Sequence, residues 1–142
     1  MAFEHRNAAV AALLATVVAA PAFGHGNVST QAVDTSALPQ LDGEWVDENP
    51  YRETEAYDKA IEIGEKAYNQ NCARCHGLDA VSGGIAPDLR YLYIPDDDAY
   101  YIGRYQKGVI RNGMTYMPGF GETLGQEAGW AIRSWLDTVA EP

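Results

Sequence analysis

Asn71-Cys72-Ala73-Arg74-Cys75-His76-Gly77 is the stretch on which the reading of this 142-residue chain turns. It contains the only two cysteines, separated by two residues, with a histidine immediately after the second. In an exported chain a cysteine pair first suggests a disulfide, but the adjoining histidine changes the reading to the C-x-x-C-H signature of haem attachment. The spacing has a physical basis. Two thiols three apart on one helical turn reach the two vinyl groups on one porphyrin edge as thioethers, and the next imidazole points under the ring at the iron. A thioredoxin-type pair normally opens a helix after a strand, whereas this one closes a helical pattern that no strand pattern precedes. Zinc would need more ligands than two cysteines and one histidine supply. The expectation is one haem, bound through Cys72 and Cys75, with His76 on the iron.

The second axial ligand is found by counting. The histidines are His5, His25 and His76, so a second imidazole would have to come from His25, far from the motif. Downstream of the haem motif the methionines are Met114 and Met117, both in the segment Gly113-Met114-Thr115-Tyr116-Met117-Pro118-Gly119-Phe120. A thioether can ligate iron, and His/Met ligation raises the reduction potential. Met117, stiffened by Pro118, is the expected ligand and Met114 the alternative. A purely hydrophobic role for both is the third reading. A ligating imidazole also needs an acceptor for its other nitrogen. The carbonyl of Pro87, in Gly83-Gly84-Ile85-Ala86-Pro87-Asp88-Leu89, is suitably spaced, although the segment also reads as a plain rigid turn.

Around this site the chain divides into three. Residues 1–24 read as an export leader: Arg6, an apolar run from Ala8 to Ala20, then small residues that fit cleavage after Ala22 or Gly24. An uncleaved anchor is the rival, but the run falls short of the ~20 residues of a membrane span. Residues 25–53 read as an irregular acidic arm, interrupted by Pro39, Gly43 and Pro50 and pinned by Trp45 and Tyr51. A fully disordered arm is the alternative, because acid-rich segments often stay loose. Residues 54–142 form the haem domain. Its first helix starts near Thr54, with Ala56, Ala60, Ile63, Ala67 and Tyr68 on one face. Gly64 marks either a close helix contact or a tolerated surface position. Residues 77–95 read as loop. Asp96-Asp97-Asp98 then opens a helix to about Gln106 or Lys107, the acids read as capping it or as solvated, with a divalent cation such as calcium as the alternative. The last helix spans Gln126 to Val139, with Ala128, Ala131, Ile132, Trp135, Leu136 and Val139 in its apolar stripe. Trp130 lies off that stripe and is read as covering a neighbouring loop or lying at the surface.

The net charge of −10 survives removal of residues 1–24, which hold one acid and one base. That argues against nucleic acid or anionic lipid as partner. The charge is uneven. Residues 34–58 carry eight acids against Arg52 alone, while residues 99–121 carry Arg104, Lys107 and Arg111 and no acid.

Taken together, Gly64-x-x-x-Tyr68, Cys72-Ala73-Arg74-Cys75-His76-Gly77, Ala86-Pro87-Asp88-Leu89, Asn112-Gly113 before Met117-Pro118, and Trp135-Leu136 resemble class I cytochrome c. The resemblance implies an all-α fold whose first and last helices cross, Gly64 giving way to Trp135 with Tyr68 nearby. It also implies Pro87 as the partner of His76 and Met117 as iron ligand. Longer strings are similar to the PedF-type periplasmic cytochromes c, which accept electrons from quinoprotein (PQQ) alcohol dehydrogenases: Asn69-Gln70-Asn71, Ser82-Gly83-Gly84-Ile85-Ala86-Pro87-Asp88-Leu89-Arg90, Tyr116-Met117-Pro118 and Trp130-Ala131-Ile132-Arg133-Ser134. The likeness extends into the arm at Gln31-Ala32-Val33-Asp34-Thr35 and Asn49-Pro50-Tyr51-Arg52. One departure is the start of the last helix, where Thr123 or Gly125 replaces the expected Ser or Thr cap. The implied function is a mono-haem periplasmic electron carrier, not an enzyme. It would be loaded transiently by a quinoprotein alcohol dehydrogenase and unloaded by a downstream cytochrome or oxidase, with no nucleic-acid partner and no membrane span after processing. A permanently attached haem subunit, or a haem enzyme or sensor with a displaceable sixth ligand, are the alternatives.

Overall fold

In the computed structural model, which describes residues 29–141, four helices and one small β-ribbon follow the arm. They are α1 (Tyr57–Asn71), α2 (Ala73–His76), α3 (Asp98–Lys107), β1 (Val109–Arg111), β2 (Met114–Met117) and α4 (Gly121–Val139), with 3-10 turns at Leu78–Ala80 and Leu89–Tyr91. The leader and His25 lie outside the described residues. Among the described residues no helix is long and apolar enough to cross a membrane.

The apolar stripes read from the sequence form the core. α1 buries Ala60, Gly64, Ala67 and Tyr68, and α4 buries Ala128, Ala131, Ile132, Trp135 and Leu136. The two helices meet backbone to backbone. A Cβ on Gly64 would stand 1.8 Å from the Ala131 carbonyl oxygen and 2.9 Å from the Ile132 nitrogen, so only glycine fits. One turn along, the rings of Tyr68 and Trp135 pack with centroids 4.5 Å apart. The resemblance placed Gly64 against Trp135. Gly64 itself meets the Ala131 backbone, and Trp135, one turn further along α4, packs on Tyr68, because an i, i+4 pair of positions on each helix shares one seam.

The last helix is broken at Gly125, whose φ of 77° separates a first turn from the regular run beginning at Gln126. Trp130 is fully buried and belongs to the core. The arm covers that face of α4: Leu41 N donates to Glu127 Oε1 (2.9 Å), Val46 N to Gln126 Oε1 (3.0 Å) and Asn49 Nδ2 to Ser134 Oγ (2.9 Å). Positions 126, 130 and 134 follow one another at one-turn intervals, so Trp130 shares the arm-facing side. Tyr51 is buried as expected and Trp45 lies 6.3 Å from the Tyr105 ring. The arm from Ser29 on is irregular but docked.

Two features differ from the sequence reading. Asn112 (φ 51°) and Gly113 (φ 77°) form the two-residue loop of a β-hairpin pairing Val109 with Met117, Ile110 with Thr115 and Arg111 with Met114. The aspartate triplet neither caps α3 through a side chain nor gathers a metal site among the described residues. Asp96 is exposed and Asp97 accepts from Tyr93 N (2.9 Å), whereas Asp98, 1% exposed, is the hub of an ionic network. It accepts from Arg133 Nε (2.7 Å), Arg52 Nη1 (2.7 Å) and Asn49 N (3.0 Å), and Arg52 also reaches Asp137 at 2.9 Å. The arm's single base therefore clamps it to α3 and α4.

Burial of Asp98 opposes its charged form, but the Arg52 and Arg133 hydrogen bonds outweigh this and hold the carboxyl below its ordinary 3.8. A carboxylate so depressed stabilises the fold fully above its unfolded value, and the contribution is lost as pH falls through the folded one. Asp98→Asn is expected to cost about 3–5 kcal/mol at neutral pH, since it leaves two guanidiniums short of a counter-charge. Thermal melts across pH 7 to 3 should also show a shallower acid decline in the variant than in the wild type below about pH 4. Superimposable pH profiles would contradict the assignment.

Candidate haem-attachment site

The motif sits where α1 runs into α2. Cys72 N donates to Tyr68 O (2.8 Å), closing α1, and the amides of Cys75 and His76 both donate to Cys72 O (3.0 Å each), winding the turn that carries both thiols and the imidazole. The chain then reverses at Gly77, whose carbonyl accepts from the Tyr68 hydroxyl at 2.8 Å. The arm is anchored immediately before the motif: Gln31 N donates to Asn71 Oδ1 (2.8 Å) and Asn71 Nδ2 returns to Gln31 O (3.2 Å). Sequence reasoning missed both supports, since each joins residues whose proximity arises only on folding.

His76 is 8% exposed, and its Nδ1 lies 2.8 Å from the Pro87 carbonyl oxygen. A carbonyl only accepts, so Nδ1 carries the proton and Nε2 keeps its lone pair for a metal. The loop presenting Pro87 is internally braced. Ser82 Oγ donates to Ala86 O, Ser82 N donates to Asp88 Oδ2 (3.1 Å), and Arg90 grips Asp88 with Nε (3.0 Å) and Nη2 (2.9 Å).

Cys72 and Cys75 are not joined to each other in a disulfide. Cys72 packs against the core, and burial, with Cys75 adding to it, pushes its thiol up to about 12. Redox-active pairs work the other way, through a thiol lowered below its usual value. Met117 is half-buried against the core, while Met114, its neighbour two places back from Tyr116, is 59% exposed. The Met117 loop lies hard against the end of α3: Phe120 N donates to Tyr105 O (2.8 Å), and a Cβ on Gly108 (φ 71°) would come within 2.3 Å of the Met117 carbonyl oxygen.

The residues suit a flat, largely apolar cofactor. The donors are two thiols, an imidazole with one nitrogen already committed, and thioethers. The large apolar side chains left exposed among the described residues, Val46 apart, all fall between Leu78 and Tyr116, the segment joining His76 to Met117. Exposed apolar surface so concentrated needs a cover. Two open clefts, one of about 390 Å³ beside Val33, Lys59 and Ile63 and one of about 610 Å³ beside Trp45 and Gly119, are not lined by Cys72, Cys75, His76 or Met117.

The family described as cytochrome c oxidase, cbb3-type, subunit III matches residues 59–136, more than half of the chain. The chain belongs to the cytochrome c family. It is 53% identical over 120 residues to cytochrome c550 of Pseudomonas aeruginosa, covering 83% of each protein. Among solved structures, the cytochrome is similar to part of the quinohaemoprotein alcohol dehydrogenase ADHIIG of Pseudomonas putida HK5. The likeness has a TM-score of 0.51 and 31% identity over 72% of this chain but only 14% of that one. Cytochrome cL of Methylophaga aminisulfidivorans shares the fold at a TM-score of 0.51 and 22% identity, over 76% of this chain and 74% of its own. This cytochrome is thus an electron carrier with one covalently bound haem c, and not an enzyme.

Proposed function

We propose that this protein is a single-haem carrier exported to the periplasm, its leader of residues 1–24 removed. It takes electrons from a quinoprotein (PQQ) alcohol dehydrogenase and passes them to a downstream cytochrome or oxidase. The observation that carries the site assignment is the imidazole of His76, placed directly after two cysteines that form no disulfide, with its Nδ1 already held by the Pro87 carbonyl. Cys72 and Cys75 bond the haem as thioethers, His76 and Met117 fill the axial positions, and Pro87 fixes the His76 tautomer. When bound, haem c supplies a reversible one-electron couple. With both axial positions taken by the chain, no substrate need touch the iron.

The donor class is inferred from the relatives. A stretch similar to this chain forms a small part of a quinohaemoprotein alcohol dehydrogenase. A separate chain of the same build suits an electron acceptor that docks with such an enzyme from outside. Transient docking needs a small interface that releases after each transfer. The exposed Arg104, Lys107 and Arg111 supply a local positive surface on an otherwise acidic protein. Arg104 lies over the Tyr100 ring (5.1 Å) and Arg111 over the Tyr116 ring (5.6 Å), and Arg111 belongs to the same hairpin as Met117.

Two outcomes follow. Met117→Ala should lose the sulfur-to-iron charge-transfer band of the ferric protein and lower the midpoint potential by a sizeable part of the ~0.8 V that axial ligation spans. The same loss in Met114→Ala, with Met117→Ala unchanged, would transfer the role. Lys107→Glu with Arg111→Glu should slow reduction by a purified quinoprotein dehydrogenase supplied with alcohol, and flatten its dependence on ionic strength. Equal rates at low salt would remove this surface from the docking site. Rapid binding of carbon monoxide to the wild-type ferrous form would favour a sensor or enzyme.

A further inference from the structure

Arg90 is placed by the fold where an exposed loop would not need it. Its guanidinium makes a fork-to-fork pair with Asp88, Nε to Oδ1 at 3.0 Å and Nη2 to Oδ2 at 2.9 Å, while Nη1 turns outward to Glu141 Oε1. Glu141 N donates back to Arg90 O at 2.9 Å, so the chain beyond α4 is bonded to this loop by both backbone and side chain. Asp88 follows Pro87 directly, and its carboxylate also accepts from the backbone amides of Ser82 (3.1 Å) and Arg90 (3.1 Å). Ser82 Oγ closes the other side of the loop on Ala86 O, the carbonyl just before Pro87. Pro87 is thus gripped on both flanks, and the whole loop is fastened to the end of the helix that packs on α1. At the far side of the same assembly α1 leads into the turn that carries His76.

We propose that the Asp88–Arg90–Glu141 clamp is a positioning device for His76: it fixes the Pro87 carbonyl on Nδ1 and thereby sets how basic that imidazole is toward iron. The proposal rests on His76 being the axial ligand. A bidentate guanidinium–carboxylate pair restrains orientation as well as distance, which lysine in place of Arg90 cannot reproduce. An acceptor on the non-ligating nitrogen orients the ring and raises its basicity, and a more basic imidazole favours ferric iron. Loosening the clamp therefore raises the midpoint potential. Asp88 is held down to about 2 by its hydrogen bonds from Arg90, so the pair stays charged throughout the neutral range.

The test uses the mature haem protein, wild type, Arg90→Gln, Arg90→Lys and Glu141→Gln. In the ferrous form, exchange of the His76 ring N–H with solvent is followed by NMR, and midpoint potentials and thermal melts are recorded alongside. Arg90→Gln should exchange the ring proton about tenfold faster or more, a weakening of ~1.4 kcal/mol, and raise the potential. Arg90→Lys should recover only part of each, and Glu141→Gln should show a smaller change in the same direction. If Arg90→Gln does not mature, Glu141→Gln, altered at the exposed end of the clamp, decides alone. Lowered melting with unchanged exchange and potential would overturn the proposal and leave a plain structural anchor. A wild type whose His76 ring protons lack haem ring-current shifts would sink the ligand assignment itself, before any variant is compared.

Discussion

The attachment turn is only as well placed as the helix that delivers it, and that helix is fixed by a contact containing no side chain. At Gly64 the backbone of α1 lies against the Ala131 carbonyl of α4, a separation that any Cβ would prevent. The approach lets Tyr68 and Trp135 pack one turn further on, and the Tyr68 hydroxyl then holds the Gly77 carbonyl at the end of the haem motif. A chain of three short-range contacts thus runs from a helix crossing to the residue after His76. Close packing transmits such placement because interiors yield little.

The second constraint is ionic. Asp98, Arg133 and Asp137 lie almost wholly out of solvent, with Arg52 entering from the arm. Two positive and two negative groups meet there, so the cluster is neutral as a whole and each charge has a close partner. That balance allows a charge-rich group to be buried at all. Its consequence for function is indirect. The network holds the acidic arm along α3 and α4, and the arm in turn covers Trp130 and reaches Asn71 beside the haem motif. An acidic segment that a composition argument could leave loose becomes one wall of the domain.

What the sequence made legible was local. Cys72, Cys75 and His76 share one turn, so their spacing alone carries the chemistry, and the stripe of α4 follows from a 3.6-residue period. The glycine at 64 was readable as a close approach, but not the residue it approaches, since that depends on the register of two helices. Asp98 was read with its neighbours as a cap or a solvated acid because its partners, Arg52 and Arg133, lie 46 and 35 residues away. Trp130 was read as covering a neighbouring loop or lying at the surface, and its burial was missed because the segment along its side of α4 is the arm, which has no period to read. The hairpin at Asn112-Gly113 did have a signal. Two residues suited to positive φ between short apolar runs specify that turn, and the glycine-rich look of the segment hid it.

Electron carriage by this chain depends on one porphyrin held by two carbon–sulfur bonds at a single turn of helix. Mass spectrometry of the denatured mature protein, followed by digestion, tests it most directly. The intact chain should be heavier by one haem, with that mass on the peptide containing Cys72 to His76 and neither cysteine available to alkylation. A colourless protein with two reactive thiols, or a pigment that leaves the chain in acidic acetone, would contradict it.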